Sequence, residues 1–207
     1  MSKRPSGIAR PDFRPEFDLE SREPVIATLG SGKELRGKDA AWRHIRLLAG
    51  DANARMHFSL VHQYDAGVPT RRLDGPLNAH WQTIRAAADK GYAAYMVVNE
   101  GGRSEGTIRR VRALYVDGRG VGLPAMWHRR PDFVVVGTEA QWCAFWTVRA
   151  FPVEQFGRLQ ARLAAMYGVE VGPNTLSGAT PLAGTRFPLD NTRSEEIYLV
   201  EWPRRFA

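Results

Sequence analysis

Three apolar segments that follow one another without a helical pattern between them constrain the fold of this 207-residue chain more than any other feature. They span residues 111–117, 132–138 and 141–151, and each is rich in β-branched or aromatic residues. Consecutive strands without an intervening helix favour antiparallel pairing, because a parallel pair usually needs a helical crossover. The sequence therefore predicts an α+β domain in which helices pack on a mixed or antiparallel sheet.

The remaining elements follow from the spacing of apolar residues. Helices that each end at a glycine are predicted at residues 39–50, 77–91 and 152–168. Further strands are predicted at residues 54–62, 92–99 and 197–202. Two stretches rich in turn residues are predicted as loops, at residues 63–76 and 178–191. Both faces of the segment 113–116 are apolar, so we expect its strand to be central in the sheet.

The first 37 residues differ in composition from the rest of the chain. They are rich in proline, glycine and charge, so we expect an extended or partly disordered arm, followed by a single domain at residues 38–207. The sequence LGSGKELRG at 29–37 only partly matches a phosphate loop. Ala27 stands where the first glycine is needed, and Glu34 stands where serine or threonine is needed. We therefore predict a turn there.

The charge of the chain favours a phosphate-bearing partner. The net charge is +7, the pI is near 10.0, and only four of the 29 basic residues are lysines. Arginine binds phosphate in a bidentate manner and stacks on bases, so this composition favours nucleic acid or a nucleotide. A GC-rich coding sequence would also explain the preference for arginine over lysine, but it would not explain the net charge.

Several other classes of protein are disfavoured by the sequence. No apolar run reaches the roughly 18 residues that a membrane span requires, and the N-terminal residues have no apolar core of a secretory signal. Cys143 is the only cysteine, which excludes an internal disulfide and a zinc site built from several cysteines. We expect a cytoplasmic protein without a membrane partner.

Asp117 is the first candidate functional residue. It ends the strand at 111–117 and is followed by Gly118, Arg119 and Gly120. A carboxylate at the end of a buried strand can hold a metal ion, but Asp-Gly is also a common turn pair. Taken by itself, the residue leaves both interpretations open.

The five histidines are scattered along the chain, and none belongs to a zinc-binding pair or a serine hydrolase motif. We expect structural roles for most of them. The exception is His128, which lies beside Arg129 and Arg130 in the sequence WHRRP. Such a loop can stack on a base and clamp a phosphate, or it can be a solvated basic loop.

Several sequence motifs, in the same order, resemble those of one known family. The segments KGYAAYMVVNEGG (90–102) and IRRVRALYVDGRG (108–120) resemble the RepB-type plasmid and phage branch of the archaeo-eukaryotic primase superfamily. The similarity continues through PDFVVVGTEAQWCAFW, FPVEQFGRLQARLAAMYGVE and TPLAGTRFP, and it covers residues 39–192. This resemblance implies an RRM-like primase catalytic core and an activity of nucleotidyl transfer.

The resemblance also implies a particular active site. The family has two carboxylates in a D-x-D or D-x-E pattern, a histidine on the next hairpin, an arginine in a later loop and often a further carboxylate. Carboxylates of this kind hold two Mg²⁺ or Mn²⁺ ions that orient the attacking hydroxyl and neutralise the triphosphate. Asp117 matches the first carboxylate, and Asp190 is a candidate for the late one.

Other positions depart from the family pattern. Arg119 stands in place of the second carboxylate, Cys143 in place of the histidine, and Pro181 in place of the loop arginine, with Arg186 five residues further on. Two unit charges about 4 Å apart interact by roughly 4 kcal/mol at an intermediate dielectric, so an arginine there would compete with a divalent ion for the aspartate. A neutral thiol cannot replace imidazole as a phosphate ligand.

We therefore expect a primase-fold protein that acts in plasmid, phage or mobile-element replication, with weak or lost primer synthesis. Single-stranded DNA or nucleotides are the expected ligands, and a replicative helicase is a candidate partner. Cys143 and Arg149 have the same parity along their predicted strand, so they should share a face. The expected phosphate-binding residues are Arg119, Cys143, Arg149 and Arg186, and the expected nucleic-acid contacts are Arg110, Arg112, His128, Arg129 and Arg130.

Two other functions stay open at the level of sequence. In the first, the chain is an active metal-dependent primase that recruits a carboxylate from elsewhere, such as Glu139 or Asp190. In the second, the chain is a non-enzymatic partner-binding domain whose basic surface is incidental.

Overall fold

The computed structural model of the chain describes residues 25–26, 29–124, 126–137, 141–170, 175–190 and 192–202. Most of the predicted N-terminal arm lies outside these residues. The described helices are α1 (Gly37–Ala49), α2 (Leu77–Ala88) and α3 (Phe156–Met166). None of the helices in these ranges is long and apolar enough to cross a membrane.

The described strands are β1 (Val25–Ile26), β2 (Lys33–Leu35), β3 (Met56–His62), β4 (Arg71–Gly75), β5 (Tyr92–Val97), β6 (Ala113–Asp117), β7 (Met126–Trp127), β8 (Phe133–Val136), β9 (Trp142–Thr147), β10 (Ala179–Pro181), β11 (Arg186–Pro188), β12 (Ser194–Glu196) and β13 (Tyr198–Glu201). They form a four-stranded sheet in the order β10-β5-β3-β4 and a five-stranded sheet in the order β2-β13-β8-β9-β6. All pairs are antiparallel. The predicted α+β class with an antiparallel sheet is confirmed.

Strand β3 shows how the side-chain pattern orients the smaller sheet. Met56, Phe58 and Leu60 are almost fully buried and alternate with partly exposed residues, as the period of two in the sequence predicts.

Helix α1 ends at Gly50, whose backbone has φ +80° and whose amide donates to the carbonyl of Arg46. A left-handed residue here stops the helix, as the sequence predicted.

Strand β6 corrects one expectation. Among the described strands it pairs with β9 alone and therefore lies at the edge of the five-stranded sheet, although all five of its residues are buried. Helix α3 covers the open edge, where Gln160 accepts a hydrogen bond from the Tyr115 amide (3.3 Å) and donates one to the Tyr115 carbonyl. The apolar pattern indicates that both faces are covered, but it cannot indicate whether both edges are paired.

The predicted loops contain strands that the sequence reading missed. Strand β4 lies within residues 63–76, and β10 and β11 lie within residues 178–191. Their polar residues and prolines hide the strand signal, because a short edge strand has few buried positions to mark it. Within the segment predicted as an arm, β2 pairs with β13 at the edge of the larger sheet.

Candidate functional site

Asp117 and Cys143 occupy opposite positions on neighbouring strands. They are register partners at the end of β6 and the beginning of β9. The Asp117 side chain is only 1% exposed, and Cys143 is buried beside it. The strand pairing therefore places the two motif positions in direct proximity, as the family resemblance required.

The turn after Asp117 is fixed by a tryptophan. The Gly118 amide donates to the Trp142 carbonyl (2.8 Å), and the Trp142 indole N–H donates to the Val121 carbonyl (2.8 Å). A Cβ atom on Gly118 would lie 2.0 Å from the indole ring of Trp142. Glycine permits this close approach, and the turn that follows is closed by a hydrogen bond from the Val121 amide to the Gly118 carbonyl (3.1 Å).

Arg119 forms an ion pair with Asp117. Its Nε donates to Asp117 Oδ2 at 3.1 Å, and its Nη2 lies 3.0 Å from the same oxygen. The Arg119 side chain is 53% exposed. The guanidinium therefore covers the buried carboxylate while half of its side chain stays in contact with solvent.

The electrostatics of these residues follow from burial and from the ion pair. Burial raises the pKa of Asp117, and the charge and hydrogen bonds of Arg119 only partly oppose this effect. Burial also raises the pKa of Cys143 well above its ordinary value, the Asp117 charge adds to the rise, and Arg119 opposes it. The thiol is therefore neutral at physiological pH and is a poor nucleophile and a poor metal ligand.

The sequence reading missed Tyr95, which belongs to the same cluster. Burial raises the pKa of the Tyr95 hydroxyl, the Asp117 charge adds to the rise, and the Arg119 charge and a hydrogen bond with the Gln63 side chain oppose it. Tyr95 lies on β5, so the cluster joins residues from both sheets. Its signal in the sequence is a hydroxyl-bearing residue in the middle of an otherwise apolar strand, YAAYMVV.

The donor set around Asp117 does not fit a divalent cation. Mg²⁺ and Mn²⁺ prefer several carboxylate or carbonyl oxygens, whereas this position offers one carboxylate, a guanidinium and a neutral thiol. Among the described residues, no group of three or more histidine, cysteine, aspartate or glutamate side chains could hold a metal ion. The exposed cationic part of the cluster is suited to a phosphate.

Two other predicted site residues, Asp190 and Arg186, make contacts of their own. Asp190 lies in the turn between β11 and β12, where Thr192 and Arg193 donate to its carboxylate at 2.6–2.8 Å. Arg186 on β11 lies 4.0 Å from Asp89 and lines a cavity of about 440 Å³ that also includes Asp190.

Arg149 lies beyond the end of β9, which stops at Thr147. The argument from strand parity therefore does not relate it to Cys143. Glu139, the carboxylate suggested for an active enzyme, lies outside the described residues.

The predicted nucleic-acid contacts fall into two groups. His128, Arg129 and Arg130 lie on the connection between β7 and β8, where the Trp146 indole N–H donates to the Arg129 carbonyl (3.0 Å). Arg110 is exposed, whereas Arg112 is buried just before β6. Strand residues rise by about 3.3 Å each, so Arg112 lies about 16 Å along the strand from Asp117.

Comparisons of the fold identify similar proteins, although no protein-family model and no curated protein sequence matches the chain. The archaeo-eukaryotic primase domain of the cyanophage S-2L primase-polymerase is similar over 77% of this chain and 88% of its own, with 24% identity and a TM-score of 0.61. The primase RepB′ is similar over 79% of this chain and 55% of its own, with 14% identity and a TM-score of 0.59.

A third similar structure is the catalytic domain of RepB′ in complex with initiator DNA. It matches 77% of this chain and 82% of its own length, with 14% identity and a TM-score of 0.55. At these levels of identity the likeness defines the fold. The chain therefore has the RepB-type archaeo-eukaryotic primase fold, as the resemblance in its sequence predicted.

Proposed function

We propose that this chain binds single-stranded DNA or nucleotides during the replication of a plasmid, phage or mobile element in the cytoplasm, and that its primer synthesis is weak or lost. The ligand would lie across the Asp117 cluster, which we define as Tyr95, Asp117, Arg119 and Cys143. A replicative helicase is the partner that such a role would call for.

The Asp117–Arg119 ion pair carries this proposal. The family pattern has a second carboxylate at the position of Arg119, and a cation there reverses the local charge. Arg119 holds Asp117 at 3.0 Å, so a divalent ion would have to displace it. Its exposed guanidinium can instead bind a phosphate oxygen directly, without a metal.

Binding of labelled single-stranded DNA, measured by fluorescence anisotropy at several salt concentrations, tests the proposal. We expect affinity to fall steeply with salt, because each phosphate contact releases a counterion. Arg119→Gln should weaken binding by about tenfold, since hydrogen bonds to charged groups contribute roughly 1.5–3 kcal/mol. The matched control Arg85→Gln, an exposed arginine on α2, should change it little. Binding that is weak and indifferent to salt would instead support the partner-binding domain.

The rival function is an active primase, and the fold shared with a phage primase-polymerase supports it. A primer synthesis and extension assay with labelled nucleotides and Mn²⁺ or Mg²⁺ separates the two. We expect little or no incorporation by the wild-type chain. Metal-dependent incorporation that disappears in Asp117→Asn and persists in the exposed control Asp51→Asn would overturn our proposal and establish the enzyme.

A further inference from the structure

A cavity lined by basic residues lies at the opposite end of β6 from Asp117. It has a volume of about 720 Å³, and its lining includes Arg55, His57, Asn99, Glu100, Arg110 and Arg112. The loop between β5 and β6 forms one wall and is closed by backbone hydrogen bonds from Glu100 to Arg110 (2.9 Å) and from Arg109 to Glu100 (2.7 Å). The wall is therefore held in place before any ligand arrives.

Gly101 shows how tightly this loop is closed. Its backbone has φ +140°, and a Cβ atom there would lie 2.1 Å from the Thr107 carbonyl oxygen. The Gly101 carbonyl accepts a hydrogen bond from His57 Nε2 at 2.7 Å. This hydrogen bond ties the loop to strand β3, which carries His57.

Arg112 is a buried cation in this cavity whose charge is only weakly compensated. Its side chain is only 7% exposed, yet its nearest carboxylate oxygen, on Glu100, lies at 3.6 Å. Its Nη1 donates only to the sulfur of Met56 (3.2 Å), a weak acceptor. Its Nε has no hydrogen-bond partner among the described residues. A buried cation without full compensation is costly, so an anion bound beside it would stabilise the folded chain.

The other charged groups that line the cavity reinforce this imbalance. Four arginines contribute to its lining, at positions 55, 109, 110 and 112, against the carboxylates of Asp74 and Glu100. Asp74 is already engaged by Arg103 at 2.5 Å and by His57 at 2.6 Å. This leaves Glu100 to balance four guanidinium groups.

We propose that this cavity is a second phosphate-binding site, in which Arg112 and Arg110 bind a phosphate group of a nucleic acid strand or of a nucleotide. Arginine matches the geometry of phosphate oxygens, and a partly enclosed cavity strengthens the attraction. Glu100 acts as the resident counter-ion. It lies 3.6–3.7 Å from both arginines and is 47% exposed, so it can move aside when the ligand enters.

The proposal predicts opposite changes in affinity when a lining arginine and when the Glu100 carboxylate is removed. In isothermal titration calorimetry at low salt with inorganic pyrophosphate, Arg112→Met should weaken binding by about tenfold, as expected for a lost charged hydrogen bond. Glu100→Gln should tighten binding, because it removes the competing anion. Arg85→Met, the matched change on the exposed face of α2, should leave the affinity unchanged.

The folding of the variants is part of the test. Replacing a buried charge with an apolar side chain of similar length is often neutral or stabilising, so Arg112→Met should keep or raise the melting temperature. If that variant fails to fold, the exposed Arg110→Gln and Glu100→Gln still report on the site. Absence of pyrophosphate binding to the wild type, or affinities that do not respond to any of these changes, would overturn the proposal.

Binding of two other probes to the same variants distinguishes a nucleic acid strand from a nucleotide as the ligand that carries the phosphate. A response to Glu100→Gln and Arg110→Gln in the binding of an oligothymidylate without a 5′ phosphate would identify a nucleic acid strand. A response only with dTTP would identify a nucleotide. A response with neither would overturn the proposed ligand class. The site is independent of the Asp117 cluster. In an Arg119→Gln background, which removes the phosphate contact of that cluster, Glu100→Gln should still tighten pyrophosphate binding and Arg110→Gln should still weaken it, even if the proposed function fails.

Discussion

Asp117 and Arg119 form an ion pair at 3.0 Å in which the Asp117 side chain is buried and the Arg119 side chain is half exposed. Gly118 lies between them, and its amide continues the pairing with β9 by donating to the Trp142 carbonyl. A Cβ atom at Gly118 would clash with the indole ring of Trp142, so the backbone between the two charged residues is closely packed. The chain therefore carries one anion and one cation at these two positions, where the family pattern has two carboxylates.

A second carboxylate at position 119 should make the stability of the chain respond to Mn²⁺. In Arg119→Asp two carboxylates would face each other, and their repulsion should destabilise the metal-free protein by about 1–2 kcal/mol, given the partial exposure of residue 119. We expect Mn²⁺ to raise the melting temperature of this variant and to leave that of the wild type unchanged. Scanning calorimetry with and without Mn²⁺ measures this.

The matched control for this change is Arg119→Asn, which removes the cation without adding an anion. It should show no stabilisation by Mn²⁺. An equal response of the wild type to Mn²⁺ would contradict the view that Arg119 displaces the cation.

Asp117→Asn should stabilise the protein at neutral pH. The pKa of Asp117 in the folded chain is raised, chiefly by burial, so the folded state holds its proton more tightly than the unfolded state does. The wild type therefore loses stability as pH rises from the ordinary value of 3.8 through the raised one, and it keeps that loss at higher pH. Urea unfolding between pH 3 and 8 should show an advantage of the variant that disappears at the acid end.

Helix α1 carries a buried histidine that should make folding acid-sensitive. His44 is fully buried against Phe133 and Phe145, and burial lowers its pKa to about 3. The unfolded chain binds a proton near pH 6.5 and the folded chain does not, so stability should fall as pH drops below 6.5. The slope for one proton is about 1.4 kcal/mol per pH unit.

Urea unfolding of His44→Gln tests this assignment. The variant should lose the part of the acid sensitivity that His44 causes, whereas the exposed-site control His128→Gln should retain it. An unchanged pH profile in His44→Gln would show that other groups cause the acid sensitivity.

Gln160 should contribute strongly to the folding stability of the chain, because it completes the hydrogen bonds at the edge of the larger sheet. Its side chain bonds both backbone groups of Tyr115, and Gln160 is only 1% exposed. Gln160→Leu would leave a buried amide and a buried carbonyl unpaired, at a cost of about 2–4 kcal/mol. Chemical denaturation measures the loss. Gln82→Leu, on the exposed face of α2, serves as the control and should cost less than about 0.5 kcal/mol.

The sequence by itself determined the α helices and long strands of the described residues, together with the motif positions. Apolar periodicity located the three α helices and the long strands, because a residue that faces the core must be apolar whatever its partner is. The ordered motifs predicted the primase fold and matched Asp117, Arg119 and Cys143 to positions of the active-site pattern of the family. The order of short motifs along the chain was enough for that prediction.

Only the tertiary structure decided which residues meet across elements. Strand β6 has an edge completed by Gln160, Tyr95 joins the Asp117 cluster from the other sheet, and Arg112 is buried with its charge only weakly compensated. Arg149 lies beyond the end of β9, and the Asp190 carboxylate is bonded by Thr192 and Arg193. Side-chain periodicity records whether a residue is covered, but strand pairing and sheet packing determine what covers it, and these depend on contacts between distant parts of the chain.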